Sequence, residues 1–208
     1  MSTPPGMLVM DLGGVMCQWL PERRLHALAE LSDLPPATVD ALVFESGFDD
    51  AADRGQFTLE QVRDELCSLL GLAHDRSHAE RVQVAWSQAF QPEPRVMELV
   101  AKARVTLPTA LFTNNGPMLE ANLARELRSV GALFDRLMFS WQLGTTKPDP
   151  VAFARACEVL DLDPGEILFV DDSAANVAAA QAAGWQAHHY RDTLNLRAAL
   201  TEAGLLGP

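Results

Sequence analysis

Four polar clusters in this sequence each stand just beyond a short apolar run. Asp11 ends the run 7–10, and Thr113-Asn114-Asn115-Gly116 ends the run 109–113. Lys147 lies beyond Ser140 in Gly144-Thr-Thr-Lys147-Pro148, and Asp171-Asp172-Ser173 closes the run 167–170. Singly, each has an ordinary structural use: aspartates stop at turns, Thr and Asn cap helices, and a lysine before proline sits in solvated loops. Asp171 and Asp172 differ, because adjacent carboxylates at the end of a buried strand repel unless a cation or hydrogen-bond donors neutralise them. With Asp11 close by they suit Mg²⁺, a hard ion that prefers oxygen ligands. The set then fits phosphoryl transfer. A metal between Asp11 and the acidic pair lets a carboxylate approach a phosphate, Lys147 and Thr113 bind phosphoryl oxygens, and Asp11 attacks phosphorus to give an aspartyl-phosphate.

These residues converge only if the strands that precede them run in one direction. After Pro92 and Pro94 helices and strands alternate: helix 95–104, strand 109–113, helix 117–129, strand 137–140, helix 150–160, strand 167–170, helix 174–183, strand 186–190 and helix 193–203. That rhythm predicts an α/β fold with a Rossmann-like parallel sheet, whose ligands bind beyond the carboxyl ends of the strands. From about Pro21 to Gln88 the pattern is helical, broken by Pro35-Pro36, Gly47 and Gly71, and Thr58 followed by Gln61 reads as a capping box. This block reads as an α-helical bundle inserted after the first strand. The expected division is a core of 1–16 and 92–208 with a helical cap at 17–91.

Composition narrows the partners. Sixteen Lys plus Arg against 28 Asp plus Glu leave a formal net charge of −12, which disfavours nucleic acid and anionic membranes but not a small anion held locally. Cys17, Cys67 and Cys157 are odd in number and lack a metal-ligand pattern, so they read as small buried hydrophobes in a reducing compartment. The start MSTPPGMLVM has no signal-peptide pattern, and no stretch approaches the ~20 apolar residues of a membrane span. A cytoplasmic protein with a small-molecule phosphate ester as partner is expected, its oligomeric state left open.

Four stretches together, VMDLGGV at 9–15, FTNNG at 112–116, GTTKPDP at 144–150 and FVDDSAAN at 169–176, resemble the motifs of the haloacid dehalogenase (HAD) superfamily of phosphohydrolases. The inserted helices resemble the C1 cap of its subfamily I. The resemblance implies Asp11 as nucleophile, Thr113 and Asn114 binding the phosphoryl group, and Lys147 neutralising it. It also implies Mg²⁺ on a carboxylate oxygen of Asp11, the Gly13 carbonyl and Asp172, with Asp171 further out, and a Lys147–Pro148 peptide that is sometimes cis in relatives.

One position departs from the pattern. Phosphatases of this superfamily usually carry a second Asp two residues after the nucleophile as general acid and base, and here that position is Gly13. The loss of such an acid typically costs ~10²–10⁴ in rate. A branch with Asp-Leu-Gly here resembles sugar-1-phosphate phosphatases, which favours a phosphatase of small phosphate esters. The alternatives are a catalytically weak phosphate- and metal-binding regulatory protein, or a 2-haloacid dehalogenase, although that branch lacks the acidic pair present here. Receiver domains share an Asp–Thr–Lys set, but their acidic pair follows the first strand. There is no Gly-x-x-x-x-Gly-Lys-Ser/Thr loop, and His188 and His189 read as surface residues. In the cap, Gln18, Trp19, Phe44, Phe48 and the loop Asp53-Arg54-Gly55 are candidates to face substrate, with Phe44 and Trp86 better read as core and Arg54 as a cation over the substrate.

Overall fold

The computed structural model describes residues 4–207. Five parallel strands form the sheet: β1 (Met7–Met10), β4 (Thr109–Thr113), β5 (Arg136–Phe139), β6 (Ile167–Asp171) and β7 (Gln186–His189), in the spatial order β5-β4-β1-β6-β7. β1 is buried on both faces, which is why it reads as an unbroken apolar run: Leu8 and Met10 enter one hydrophobic cluster, Met7 and Val9 the other. The pairing sets Met10 beside Leu111 on one side and beside Val170 on the other. From β1 the chain works outward to β4 and β5, then returns to the opposite side for β6 and β7. The order therefore reverses beside β1, the place where open α/β sheets leave a crevice at their carboxyl ends. Asp11 and Asp171 stand on the two sides of that reversal.

Helices α6 (Pro94–Ala103), α10 (Pro150–Leu160), α11 (Ala174–Ala182) and α12 (Thr193–Glu202) connect or close the strands. Phe112, Phe153, Phe169 and Trp185 pack edge-on and tilted around one another on one sheet face, with centroids 5.4–6.2 Å apart. The helix expected over 117–129 is divided into α7 (Pro117–Leu123) and α8 (Arg128–Gly131). The division falls at Asn122, whose carbonyl accepts from both Arg125 and Leu127 N–H while its buried side chain donates to the Gln83 carbonyl at 2.9 Å. A tertiary contact there outweighs the local helical pattern. The short helix α9 (Ser140–Leu143) follows β5 directly.

The inserted segment has its own core. Helices α1 (Pro21–Ser32), α2 (Pro36–Asp40), α3 (Phe48–Asp53), α4 (Leu59–Leu69) and α5 (Arg76–Ser87) enclose a cluster that includes Leu28, Val43, Leu66 and Trp86, with a single π turn over 41–45. Thr58 and Gln61 form the reciprocal capping box that starts α4. Among the described residues, Met118 of α7 is the one member of that cluster from outside the inserted segment, so it pins the segment to the rest. The segment leaves and rejoins the sheet through an antiparallel ribbon, β2 (Cys17–Trp19) with β3 (Phe90–Pro92), which three residues a side made too short to read from the pattern. Cys17 and Cys67 are buried and Cys157 half-buried, all free thiols. Among the described residues no helix is long and apolar enough to cross a membrane.

Candidate active site

Lys147 organises the floor of the crevice. Its ammonium, 4% exposed, donates to Asp11 Oδ1 at 2.7 Å, to Asp171 Oδ2 at 2.7 Å and to the Phe112 carbonyl at 2.8 Å. Burial works to deprotonate it, but the two carboxylates outweigh burial and hold the ammonium above its ordinary range. Burial is also the main influence on Asp11, whose carboxyl is pushed up to about 7 against the opposing pull of Lys147. Three carboxylates, from Asp11, Asp171 and Asp172, bring oxygens within 4.8 Å of one another, and a single lysine cannot neutralise them all.

The acidic pair divides its work. Asp171 is fully buried and saturated: besides Lys147 it accepts from Ser173 N–H at 2.8 Å and from Asn176 Nδ2 at 3.0 Å to each oxygen. Asp172 is exposed, and burial with the neighbouring charge of Asp171 raises its carboxyl above the usual range. Gly14 explains how Asp172 reaches the loop after β1. Its φ of +77° favours glycine, and a Cβ there would lie 2.1 Å from Asp172 Oδ2. Gly13 is under no such constraint, since a Cβ would meet only Phe90 and Trp19 side chains at 3.8–3.9 Å.

Thr113 is buried at the end of β4, and its hydroxyl accepts from Asn115 Nδ2 at 2.8 Å. With its lone pair engaged in that way, the hydroxyl proton is directed to another acceptor. Asn114, expected to bind the phosphoryl group, lines the cavity, and its side-chain amide donates to the Lys147 carbonyl and accepts from the Lys147 N–H, both at 2.8 Å. It ties the loop after β4 to the loop bearing the lysine. The Lys147–Pro148 peptide is cis.

Above this floor is a cavity of about 290 Å³, lined from below by Asp11, Gly13, Thr113, Asn114, Asn115, Lys147, Asp172 and Asn176. From the inserted helical segment and its flanking ribbon it is lined by Trp19, Arg24, Asp49, Asp53 and Phe90. Arg54 is not among the lining residues; it is exposed at the end of α3 and paired with Asp50 at 2.9 Å, because its position on the helix turns it outward one turn from that partner. Arg24 is the cap cation that faces the site. Its guanidinium, 2% exposed, lies over the Trp86 ring at 4.2 Å and the Trp19 ring at 4.9 Å and donates through Nε to the Trp86 carbonyl, while Nη2 has no partner. Asp53 belonged to the candidate loop Asp53-Arg54-Gly55, whereas nothing local marks Arg24 or Asp49 in the sequence, since they lie within helices rather than at strand ends. Asn176 did lie within a motif stretch. Of the aromatic cap candidates, Trp19 reaches the cavity; Phe44 stacks on Trp86 and Phe48 packs on Phe57. Gln18 donates to Glu93, away from it. His188 and His189 bond to Asn195 Oδ1 and to the Asp172 carbonyl.

A family model for haloacid dehalogenase-like hydrolases matches residues 11–184. The chain belongs to this family. The matched range of this HAD-like hydrolase runs from Asp11 past Asp172 and so takes in the whole floor of the cavity. Sesquiterpene phosphatase astK of Aspergillus oryzae is 26% identical over 186 residues, spanning 89% of this chain and 90% of that protein. D-ribitol-5-phosphate phosphatase of Bacteroides thetaiotaomicron is 24% identical over 200 residues, 93% of this chain and 96% of that one. A HAD-family enzyme of Bacteroides thetaiotaomicron, solved in complex with magnesium and inorganic phosphate, superimposes with a TM-score of 0.71 at 20% identity, covering 90% of this chain and 94% of that one. This last likeness shows the shared HAD fold.

Proposed function

We propose that this HAD-like hydrolase is a Mg²⁺-dependent phosphatase of a small phosphate ester, sugar phosphate-like, acting through an aspartyl-phosphate on Asp11, with residues 17–91 as its cap. The observation that carries this reading is the three-way contact of Lys147 with Asp11, Asp171 and the end of β4. It supports the reading because a cation, a carboxylate able to act as nucleophile and the loop after β4 then meet at one point of the sheet. The phosphatase names of the relatives support the same chemistry.

The donor set fits the metal: carboxylate oxygens from three residues lie within 4.8 Å, and all are hard ligands. Asp11, Asp172 and the Gly13 carbonyl would hold the ion, and Asp171 would steady the arrangement from behind. When bound, Mg²⁺ supplies Lewis-acid neutralisation of the phosphate's charge against the carboxylates. Lys147 holds Asp11 Oδ1 at 2.7 Å and so fixes the rotation of the nucleophile's carboxylate. The Thr113 hydroxyl, turned by Asn115, donates to a phosphoryl oxygen. The ester bond then breaks on the side away from Asp11, facing the cap, and water later hydrolyses the acyl phosphate.

Phosphate release from sugar phosphates and p-nitrophenyl phosphate, with and without Mg²⁺, tests this. Metal-dependent release that Asp11→Asn abolishes is expected. No turnover with intact metal binding would turn the reading to a phosphate- and metal-binding regulatory protein, for which the missing acid at Gly13 is the motivating observation. Halide release from 2-haloacids would make it a dehalogenase.

A further inference from the structure

We propose that Asp53 of the cap is the proton donor to the leaving oxygen, the role that Gly13 cannot fill. The proposal rests on the phosphatase reading and deepens it. In-line displacement by Asp11 puts the leaving oxygen on the far side of phosphorus, toward the cap. The cap side of the cavity holds Trp19, Arg24, Asp49, Asp53 and Phe90, of which only the two aspartates carry a proton that can be transferred near neutral pH.

Geometry separates the two aspartates. The Asp53 carboxyl lies against the phosphate loop: its Oδ1 is 3.3 Å from the position a Cβ on Gly116 would take, directly after Thr113-Asn114-Asn115. The segment around it is docked onto the core. Ser140 Oγ donates to the Asp53 carbonyl at 2.7 Å, the Ala52 carbonyl is 3.3 Å from that same Gly116 Cβ position, and a Cβ on Gly55 would meet the Trp141 carbonyl at 2.2 Å. Burial raises the carboxyl of Asp49, one turn earlier on α3, as well, with the Arg24 charge opposing it, so the contact with Gly116 is what sets Asp53 apart. Arg24 is more than nine-tenths buried, and its Nη2 has no hydrogen-bond partner among the described residues.

The charges around Asp53 favour its acid form. Burial and the neighbouring Asp49 push the Asp53 carboxyl up to about 8, with Asp50 adding to this and Arg24 and the Gly116 N–H working against it. From its own segment Arg54 also faces it, held in its pair with Asp50. In the first step Asp11 forms the bond to phosphorus, the bond to the ester oxygen breaks, and that oxygen takes the Asp53 proton and departs as the alcohol. The Asp53 carboxylate then accepts a proton from the water that attacks the aspartyl-phosphate. Inorganic phosphate leaves, and Asp11 and Asp53 return to their starting states.

Leaving-group dependence tests the assignment. p-Nitrophenolate departs without a proton, whereas an alkoxide such as that of glycerol 1-phosphate needs one. Asp53→Asn is expected to lower kcat/KM for glycerol 1-phosphate by about 10²–10⁴-fold, with a far smaller loss on p-nitrophenyl phosphate. It should also remove the alkaline limb that the wild type shows for the alkyl ester. Gly13→Asp, for which Gly13 has steric room, should restore the alkyl ester in the Asp53→Asn background. Equal losses on both esters, no loss on the alkyl ester, or no rescue by Gly13→Asp in a double variant that still turns over p-nitrophenyl phosphate would each overturn the assignment. If the wild type turns over neither ester, the phosphatase reading itself fails and takes the assignment with it.

Discussion

The side-chain amide of Asn114 closes a ring with the backbone of Lys147, donating to its carbonyl and accepting from its N–H at 2.8 Å each. An amide, with a donor and an acceptor on separate atoms of one plane, can satisfy both polar atoms of a single residue in this way. It places the lysine backbone so that Nζ reaches Asp11 and Asp171. Asn114→Ala leaves two backbone groups of Lys147 unpaired and is expected to cost about 1–3 kcal/mol in urea denaturation, with kcat falling more than KM rises. Asn114→Asp should do no better, because it sets a carboxylate against the Lys147 carbonyl oxygen.

Lys147 itself neutralises two buried acids. Lys147→Met leaves Asp11 and Asp171 facing each other with no cation at 2.7 Å. A loss of about 3–5 kcal/mol by urea denaturation is expected at pH 7, together with a loss of turnover of at least about 10²-fold. Lys147→Arg should not rescue activity, since a planar fork cannot reproduce three bonds converging on one nitrogen.

Gly14 and Gly13 should respond differently to the same small change. In Gly14→Ala the new Cβ would fall 2.1 Å from Asp172 Oδ2 at a φ of +77°, forcing the carboxylate away. The Mg²⁺ concentration for half-maximal turnover is expected to rise about 10-fold or more. Gly13→Ala, with its nearest contact at 3.8 Å, should leave metal affinity within about twofold, the order of an undisturbed ligand shell. Titration of turnover with Mg²⁺ separates the two.

Stability should depend on pH through Asp53. Its carboxyl stands at about 8 in the folded chain, raised by burial, against an ordinary value of 3.8. The folded state therefore binds its proton more tightly than the unfolded chain between those values. Folding stability from this group is greatest at low pH and falls as pH rises from about 4 to about 8, with no further change above. Asp53→Asn removes that slope, so its melting temperature relative to wild type should climb from pH 5 to pH 8. A constant difference across that range would contradict the assignment of the raised carboxyl.

The floor of the site was legible because Asp11, Thr113 and Asp171–Asp172 sit at the ends of apolar runs and Lys147 lies in the loop region that follows another. Parallel strands must bring their carboxyl ends to one edge, so Asp11, Thr113, Lys147 and Asp171–Asp172 were bound to meet once the alternation of helix and strand was read. The cap was less legible. Arg54 stood out beside Gly55, but the side of α3 it occupies depends on how that helix docks, and the docking turns Asp49 and Asp53 inward instead. The split of 117–129 escaped for a related reason: a side-chain bond from Asn122 to Gln83 across the two parts ends the helix early.

The sequence by itself determined the sheet, the order of its strands' functional ends and the absence of an acid at Gly13, since these follow from local periodicity and residue identity. Only the tertiary structure decided what each polar atom spends its bonds on. It commits the Asn114 amide to Lys147, saturates Asp171 while leaving Asp172 exposed, and sets Asp53 rather than Arg54 over the cavity. The physical reason is that these local bonds are joined by partners far apart in the chain, Lys147 lying 136 and 24 residues from its two aspartates and 33 from Asn114. No local pattern carries that information.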